Sequence, residues 1–355
     1  MPQTFNPHRR QFLRNSALLG ASFAIAGSAV PFIADATVSR VRIAVNPGIE
    51  NATLTALMKQ QDYLKQFGVD VLFVEAPGTS GPFNAITSGA ADICMTSGYN
   101  GVLAQIAKGA NIKIVGTGMK KTALAIFARQ NRVKTLYDLS DKTVAVGPSG
   151  GLLHVLMLEL LKEKGIDATQ IFFVNKGSND SCYQAVLKGE ADACCSSISH
   201  LHDSDGLAVI DGGNLWQSLP KYTFQTAYAS EAALRDKHEG LVGVMAAYGA
   251  LYDYLMSLGA HDAFFAARQH AEKKFNAPSA QAVWDFIQTQ RPYSSDLSLT
   301  KSDMAYQQKI NIGLGGLKHL LPFASVADMS VAKTAAKLLA KPPMPLRLFF
   351  GQPVP

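Results

Sequence analysis

Two adjacent cysteines, Cys194 and Cys195, are the part of the sequence that most invites a chemical interpretation. His200, His202 and Asp203 follow closely, so thiol, imidazole and carboxylate groups lie near one another in the chain. Such groups form zinc sites and supply the nucleophiles and bases of thiol enzymes. Adjacent cysteines are not a usual zinc spacing, however, so the third interpretation is that the thiols only pack in a core.

The letters around the cysteines recur 100 positions earlier, since residues 83–97 read FNAITSGAADICMTS and residues 183–197 read YQAVLKGEADACCSS. In this pairing Cys94 stands opposite Cys194, and Met95 stands opposite Cys195, as expected for apolar side chains that pack in a buried strand. The pattern of each copy predicts, in this order, a helix that ends at a glycine, a strand, and a loop that contains serine. The repeat predicts two lobes of similar construction.

The rest of the chain alternates short apolar, β-branched segments with segments of helical periodicity, for example the strand-like residues 142–146 and the helix-like residues 152–164. This alternation predicts an α/β fold with largely parallel sheets. Long helical segments dominate the last third of the chain, including residues 241–258 and 279–289. We therefore expect two α/β lobes followed by a helical C-terminal segment.

The N-terminal 36 residues have the features of an export signal. Arg9 and Arg10 precede Phe12 and Leu13, an apolar run of about 18 residues follows, and the segment ends in Ala-Asp-Ala. The paired arginines resemble a twin-arginine signal, which predicts export through the twin-arginine translocase, cleavage near residue 37 and a periplasmic protein. A membrane anchor is the alternative, but the run is at the short limit for a bilayer span and contains glycine and proline.

The composition is that of a folded protein with a sizeable core, because 48% of the residues are hydrophobic and 17% are charged. The formal net charge of +6 is small and scattered along the chain. Nucleic-acid-binding proteins usually carry a basic stripe or arm, so we expect no nucleic-acid partner.

Small polar loops follow the predicted strands of both copies. The segment Gly147-Pro148-Ser149-Gly150-Gly151 leads into a helix and exposes backbone N–H groups at the positive end of the helix dipole, which favours an anion. It lacks the Gly-Lys-Ser/Thr of a phosphate-binding P-loop. Ligands bind beyond the carboxyl ends of parallel strands, so loops recurring at equivalent places predict a shared cleft between the lobes.

Several of these motifs together resemble the periplasmic substrate-binding proteins of ABC importers for nitrate, sulfonates, taurine and thiamine-pyrimidine precursors. The motifs are PGTSG at 77–81, ITSGAAD at 86–92, YDLSDKTVAVG at 137–147, AVLKGEAD at 185–192, and VWDFI, RPY and LS between 283 and 298. The resemblance implies a type II periplasmic-binding-protein fold with a hinge. It implies lobe 1 from residues 37–130 and 230–355 and lobe 2 from residues 131–229, after a signal peptide at 1–36.

The resemblance also implies that the ligand-binding residues lie in the loops described above. The candidates are small polar residues, glycines and one tyrosine: Asn46, Ser80, Gly81, Ser97, Gly98, Tyr99, Ser149, Gly150, Gly151, Ser178, Asn179 and Ser197. Tyr99 and Tyr228 are candidates to stack on a flat ligand. None of these loops contains an arginine that could clamp a sulfonate or carboxylate, which argues against a strongly anionic ligand.

The predicted function is capture of a small polar organic molecule or oxyanion in the cleft, by a monomer that delivers it to a membrane permease and its ATPase. We expect no cofactor, no metal and no catalytic residue. Two alternatives remain. One is an enzyme of the same fold, because a thiamine-pyrimidine synthase of this fold carries a cysteine run and a histidine. The other is a binding protein that serves a sensory receptor.

The packing interpretation of the cysteine segment and the two chemical ones predict opposite mutant behaviour. Replacing Cys195 with Ala should leave ligand binding nearly intact, because a buried thiol only fills space. The substitution Ser197→Trp should abolish binding, because it places a bulky ring where the strand opens onto the cleft. Ligand-induced thermal shifts of the two variants provide the measurement, and loss of binding in Cys195→Ala alone would restore the chemical interpretation.

Overall fold

In a computed structural model of the chain, residues 40–78 and 80–340 are described. The predicted signal peptide at 1–36 and the end of predicted lobe 1 at 341–355 lie outside this part. The chain first alternates strands and helices, as the sequence predicts: β1 Val41–Val45, α1 Ile49–Gln60, α2 Tyr63–Gln66, β2 Val71–Glu75, α3 Gly81–Thr87, β3 Ile93–Ser97, α4 Asn100–Ala107 and β4 Ile112–Thr117.

A second alternating block follows the first. Its elements are β5 Leu124–Ala128, β6 Thr143–Val146, α5 Leu152–Glu163, β7 Phe172–Asn175, α6 Asn179–Leu187, β8 Ala193–Ser197, β9 Ala208–Asn214 and α7 Leu215–Ser218. The last part opens with one strand and continues as helices: β10 Thr226–Ser230, α8 Glu231–Asp236, α9 His238–Leu255, α10 His261–Ala271, α11 Ala277–Gln290, α12 Lys301–Gly313, α13 Phe323–Val326 and α14 Ser330–Leu339.

The strands form two five-stranded sheets of matching order, β2-β1-β3-β10-β4 and β7-β6-β8-β5-β9. In each sheet the first three strands are parallel, and the fourth is antiparallel to its neighbours. Parallel strands need crossover helices, which cover the sheet faces and make these strands continuous apolar runs. The two-lobed α/β architecture predicted from the repeat is therefore present.

The sequence repeat is a structural repeat down to the register of single residues. Cys94 on β3 pairs with Ala44 on β1, and Cys194 on β8 pairs with Ala145 on β6. Gly89 and Gly189 end the preceding helices with φ of 75° and 76°, a left-handed conformation that glycine adopts without strain.

An aspartate begins the third strand of each lobe and binds the backbone of the first strand. Asp92 Oδ2 accepts from the Arg42 N–H at 2.7 Å, and Asp192 Oδ2 accepts from the Thr143 N–H at 3.0 Å. The backbone N–H of each aspartate donates back to the carbonyl of the same partner at 2.8 Å. The repeated Ala-Asp pair thus serves to align two neighbouring strands in each lobe.

The sheets move both predicted boundaries between the lobes. The strand β5 belongs to the second sheet, although the predicted boundary at residue 130 leaves it in lobe 1. The strand β10 belongs to the first sheet, although the boundary at 230 leaves it in lobe 2. The crossings therefore lie between β4 and β5 and between β9 and β10. Local sequence patterns do not predict β5 and β9, because β5 is a short continuous apolar run that fits a buried helix equally well and β9 contains Gly212 and Gly213.

The C-terminal helices are not confined to one lobe. On α11, Trp284 packs in the core of the first lobe, whereas Phe286 contacts Trp216 of the second lobe with ring centroids 5.1 Å apart. On α12, Met304 is buried with the first lobe, and Tyr306 Oη donates to Glu159 Oε1 of α5 at 3.3 Å. These two helices therefore bridge the lobes, which differs from their predicted place in lobe 1.

Within residues 40–78 and 80–340, no single helix is both long and apolar enough to cross a bilayer. The segments His238–Leu255 and Leu258–Ala271 are long and apolar enough only when taken together, and they are bent by 96° at the break between them.

The Asp92 carboxylate is expected to contribute more to stability than its counterpart Asp192. Burial alone would raise the pKa of Asp92, but hydrogen bonds from Arg42 and Lys237 outweigh burial and lower it. Its contribution is therefore present above pH 4 or so and is lost as the pH falls through the lowered pKa. We expect Asp92→Ala to reduce the free energy of unfolding by about 2–3 kcal/mol at pH 7, because it leaves two partly buried cations unpaired.

The matched control is Asp192→Ala, for which we expect a loss of about 1 kcal/mol. Among the described residues, the only lysine or arginine nitrogen within 4 Å of the Asp192 carboxylate belongs to Arg132, which is 3.9 Å away and more than half exposed. Urea unfolding of both variants at pH 7 and at pH 3.5 measures the difference. Equal losses at pH 7 would show that Arg42 and Lys237 add nothing to the backbone hydrogen bond.

Candidate functional site

A cavity of about 770 Å³ lies between the two lobes and is lined by both. The first lobe contributes the start of α1 with Pro47, Gly48 and Glu50, and the end of α10 with the residues that follow it. The second lobe contributes the start of α6 and the turn Ile198–His200 that follows β8. The starts of α1 and α6 follow parallel strands, so the cavity lies where α/β sheets usually bind ligands.

Another groove of about 460 Å³ runs along β9 and is lined by that strand and by Gln130, Lys134 and Gln217. It is open and belongs to the second lobe alone, so it lacks the two-sided enclosure of the interlobe cavity. We take the interlobe cavity as the candidate site.

Three of the predicted ligand-binding residues, Ser178, Asn179 and Ser197, line the cavity. Ser178 also caps α6, because its Oγ accepts from the Ser181 N–H at 3.2 Å. Ser197 Oγ accepts from the Ser199 N–H at 3.2 Å and so shapes the turn after β8. Both hydroxyls therefore hold the wall of the cavity in shape.

Asn46 lies beside the cavity rather than in its lining. Its side-chain Nδ2 donates to the Gly78 carbonyl at 3.3 Å, and its own carbonyl accepts from Asn51 Nδ2 at 2.8 Å. These bonds tie the loop after β1 to the loop after β2. The residues Ser80 and Gly81 at the start of α3, and Ser97 and Gly98 at the end of β3, are likewise outside the cavity lining.

The predicted anion site of residues 147–151 is turned to solvent at its tip, where Ser149 and Gly150 are exposed. The Gly150 N–H donates to Nδ1 of His154 at 3.2 Å, so one of its donors already has a partner. Burial lowers the pKa of His154, which keeps that nitrogen available as an acceptor. Neither Ser149, Gly150 nor Gly151 lines the interlobe cavity.

The two tyrosines predicted to stack on a ligand are fully buried. The side chains of Tyr99 and Tyr228 are 0% exposed and pack under the first sheet with Cys94 and Ile114. Neither ring lines the cavity, so the stacking prediction is wrong for this structure. The sequence showed the aromatic residues near the strand ends but not the face on which they lie.

Arg268 is the residue in the cavity wall that the sequence analysis did not identify. It lies on α10, far from any predicted loop, and its side chain is 2% exposed. Its Nε donates to Glu272 Oε1 at 2.6 Å, and its terminal nitrogens lie 3.4 Å from Glu50 Oε1 and 3.3 Å from Ser279 Oγ. An arginine therefore stands at the site, contrary to the expectation from the loops. In the sequence, Arg268 and Glu272 are four residues apart, a spacing that predicts an ordinary ion pair on a helix surface and does not point to a cavity.

His200 lies on the opposite wall between two carboxylates. Its Nδ1 is 2.7 Å from Asp203 Oδ2, its Nε2 is 3.3 Å from Asp180 Oδ1, and its ring stacks on Tyr183 with centroids 3.9 Å apart. Burial alone would lower the pKa of His200, but the hydrogen bonds with Asp180 and Asp203 outweigh it and raise the pKa. The second lobe therefore presents an imidazole ring held between two carboxylates.

Three of the four cysteines lie in the core of the second lobe, and none of them lines the cavity. Cys182, Cys194 and Cys195 are fully buried and are free thiols. Burial raises the pKa of the Cys182 thiol to about 11 and also raises the pKa of Cys194 and Cys195. A nucleophilic or metal-binding cysteine needs a lowered pKa, so these thiols have the environment of packing residues.

The histidines of the cysteine segment do not converge on the thiols. His202 Nε2 is 2.9 Å from Asp285 Oδ2 on α11, and His200 is bound to its own carboxylates. Within residues 40–78 and 80–340, no group of three or more His, Cys, Asp or Glu side chains is arranged to hold a metal ion.

The RPY motif near the end of the sequence holds the first crossing between the lobes. Met119 pairs with Tyr293 in an isolated bridge, and the Lys120 N–H donates to the Pro292 carbonyl at 2.7 Å. Burial alone would raise the pKa of Asp296, but hydrogen bonds from Ser294 and Ser298 and the charge of Lys120 lower it to about 2. The motif therefore contacts the crossing between β4 and β5 and does not line the cavity.

A family model described as NMT1/THI5 like matches residues 50–280 of the chain. A search of curated proteins found no match. The structure is similar to the periplasmic aliphatic sulphonate binding protein SsuA from Escherichia coli, with a TM-score of 0.67 and 20% sequence identity, over 81% of this chain and 91% of that chain.

Two further structures have the same fold. The alkanesulfonate-binding protein SsuA from Xanthomonas axonopodis pv. citri bound to MOPS has a TM-score of 0.61 and 16% identity, over 83% of this chain and 97% of that chain. The periplasmic nitrate-binding protein NrtA from Synechocystis PCC 6803 has a TM-score of 0.64 and 10% identity, over 86% and 90%. These similarities confirm the predicted periplasmic-binding-protein fold.

The pKa of His200 is expected to lie above its ordinary value near 6.5. A histidine whose pKa is higher in the folded than in the unfolded chain stabilises the fold. This contribution is complete at pH values below the pKa of the unfolded chain and is lost as the pH rises through the pKa of the folded chain. NMR titration of the His200 ring protons measures the pKa directly. Asp180→Asn should lower it, because it removes one of the two carboxylates, and a wild-type value below 6.5 would show that burial outweighs the carboxylates.

Proposed function

This chain belongs to the NMT1/THI5-like family, and on that premise we propose that it is the extracytoplasmic solute-binding component of an ABC importer. The resemblance to periplasmic substrate-binding proteins that the sequence motifs indicated is confirmed at the level of the family. The structures that share the fold include binding proteins for sulfonates and nitrate, which supports a role in binding a small solute.

The observation that carries the proposal is a cavity enclosed by two separate α/β lobes. The lobes are joined by two chain crossings, and the ends of equivalent elements of both face the same space. Such a geometry lets a ligand bind to one lobe and be enclosed by movement of the other about the crossings. Enclosure replaces the hydration shell of a polar ligand with fixed hydrogen-bonding groups.

The size and lining of the cavity suit a small polar ligand. A volume of about 770 Å³ is within the usual range of small-molecule sites. Hydroxyls and an amide come from Ser178, Asn179 and Ser197, and charged groups of both signs come from helices of the two lobes. The ligand class we propose is a small polar organic molecule or oxyanion, such as a sulfonate, taurine, nitrate, a pyrimidine or an aromatic acid.

The environments of the thiols and of His200 favour binding over catalysis. The buried cysteines have raised pKa values, and both ring nitrogens of His200 already have carboxylate partners. A general base needs a free nitrogen within reach of its substrate. We therefore propose that the protein is not an enzyme.

The remaining parts of the proposal rest on the sequence. The N-terminal 36 residues support export by the twin-arginine translocase to the periplasm, with removal of the signal. In that compartment the protein would act as a monomer and deliver its ligand to a membrane permease driven by an ATPase.

Thermal shift measurements on the purified protein test the binding role. The panel contains nitrate, alkanesulfonates, taurine, aromatic acids, pyrimidines and amino-acid derivatives. Binding to the native state stabilises it by about 2.7 kcal/mol at about 100 times the dissociation constant, so at least one class should raise the midpoint by several degrees. Ser197→Trp should remove the shift. No shift with any class, together with turnover of a pyridoxal-type or histidine-type substrate, would favour the enzyme instead.

A further inference from the structure

Arg268 and Glu272 form a buried ion pair behind the cavity wall. Their side chains are 2% and 4% exposed, and Nε of Arg268 donates to Oε1 of Glu272 at 2.6 Å. Two opposite charges taken out of water need close contact to compensate for lost hydration, and this pair provides it. The pair is therefore balanced in charge without any further group.

Glu50 is a second carboxylate on the same guanidinium and is held much more loosely. Its Oε1 lies 3.4 Å from a terminal nitrogen of Arg268, at the long limit of a hydrogen bond, and its side chain is 61% exposed. An ion pair with one partner mostly in water contributes little. Glu50 can therefore leave Arg268 at small cost.

The position that Glu50 occupies is favourable for an anion. Glu50 lies in the first turn of α1, a helix of 12 residues whose N-cap, Gly48, has no side chain to bond the first N–H groups. The helix dipole favours negative charge there, and Arg268 and Ser279 add donors from α10 and α11. All four residues line the interlobe cavity.

We propose that Glu50 stands in for the anionic group of the ligand, and that a singly charged anion displaces Glu50 and takes its place on Arg268. The inference rests on the binding function proposed above and names the class of ligand, which is a small molecule with one sulfonate, carboxylate or nitrate-like group. Glu50 then acts as an internal competitor that sets the affinity, and Arg268 selects for negative charge.

The opposite wall offers the anionic group of the ligand no net positive charge. Asp180 lines the cavity with a side chain that is 79% exposed, and it shares His200 with Asp203. Two carboxylates around one imidazole ring leave that wall without net positive charge. The arginine and lysines of the cavity lining, Arg268, Lys273 and Lys274, all lie on the first-lobe side, so the anionic group is held there.

The decisive variant is Glu50→Gln, which removes the competing charge and keeps the buried pair of Arg268 and Glu272. We expect methanesulfonate, nitrate or acetate to bind this variant about tenfold more tightly than the wild-type protein, because a like charge near the anion is gone. The dissociation constants are measured by calorimetry at low ionic strength, and added salt should reduce the difference. Comparison of the three dissociation constants shows whether the site prefers a sulfonate, a nitrate-like group or a carboxylate.

Two other variants complete the design. Glu231→Gln is the matched control, because Glu231 also lies in the first turn of a helix and is 3.5 Å from a cation, Lys113, outside the cavity. It should leave all dissociation constants unchanged. Arg268→Lys keeps the charge but loses the planar fork, so anion binding should weaken about tenfold. Circular dichroism shows whether this variant is folded.

The outcomes separate the inference from the binding function. If the wild-type protein binds anions and Glu50→Gln binds them no more tightly, the role of Glu50 is wrong and the binding function stands. If the wild-type protein binds only a neutral probe such as uracil or a cationic probe such as ethanolamine, selection by Arg268 is wrong and the binding function again stands. If no probe of any class binds, the proposed function fails.

Discussion

In each lobe, an aspartate at the start of the third strand bonds the backbone of the first strand in both directions. Asp92 makes these bonds with Arg42, and Asp192 makes them with Thr143. Because register is set at one end of the two strands, their carboxyl ends reach the same edge of the sheet together. The loop after β1 and the turn after β8 both line the interlobe cavity, and this alignment therefore places them there.

The cavity combines this repeated framework with parts that are not repeated. The start of α6 and the turn after β8 belong to the framework, whereas Arg268, Glu272 and Ser279 come from the helices added after the second lobe. The added helices also bridge the lobes through Trp216 and Phe286. The repeated framework thus provides the shape of the cavity and most of its hydroxyl groups. The added helices and the residues between them provide most of the charged side chains on the first-lobe side of the cavity.

Much of the fold could be predicted from local patterns. Alternating strands and helices, the offset of 100 residues between the copies and the glycine stops are all encoded within short segments, and the structure reproduces them. Local patterns do not predict β5 and β9, because a short buried apolar run such as β5 fits a helix or a strand and β9 is interrupted by glycines. The lobe boundaries were displaced for the same reason, since a strand joins a sheet through long-range pairing that neighbouring residues do not specify.

The sequence by itself determined the two-lobed α/β architecture, the packing role of Cys194 and Cys195, and three residues of the cavity wall. Only the tertiary structure decided which side of the sheet Tyr99 faces, where the lobes join, and that Arg268 stands at the cavity with Glu50 in front of it. The physical reason is that periodicity and turn chemistry act within a few residues. Burial of an arginine more than 200 positions from its second carboxylate depends on how whole helices pack.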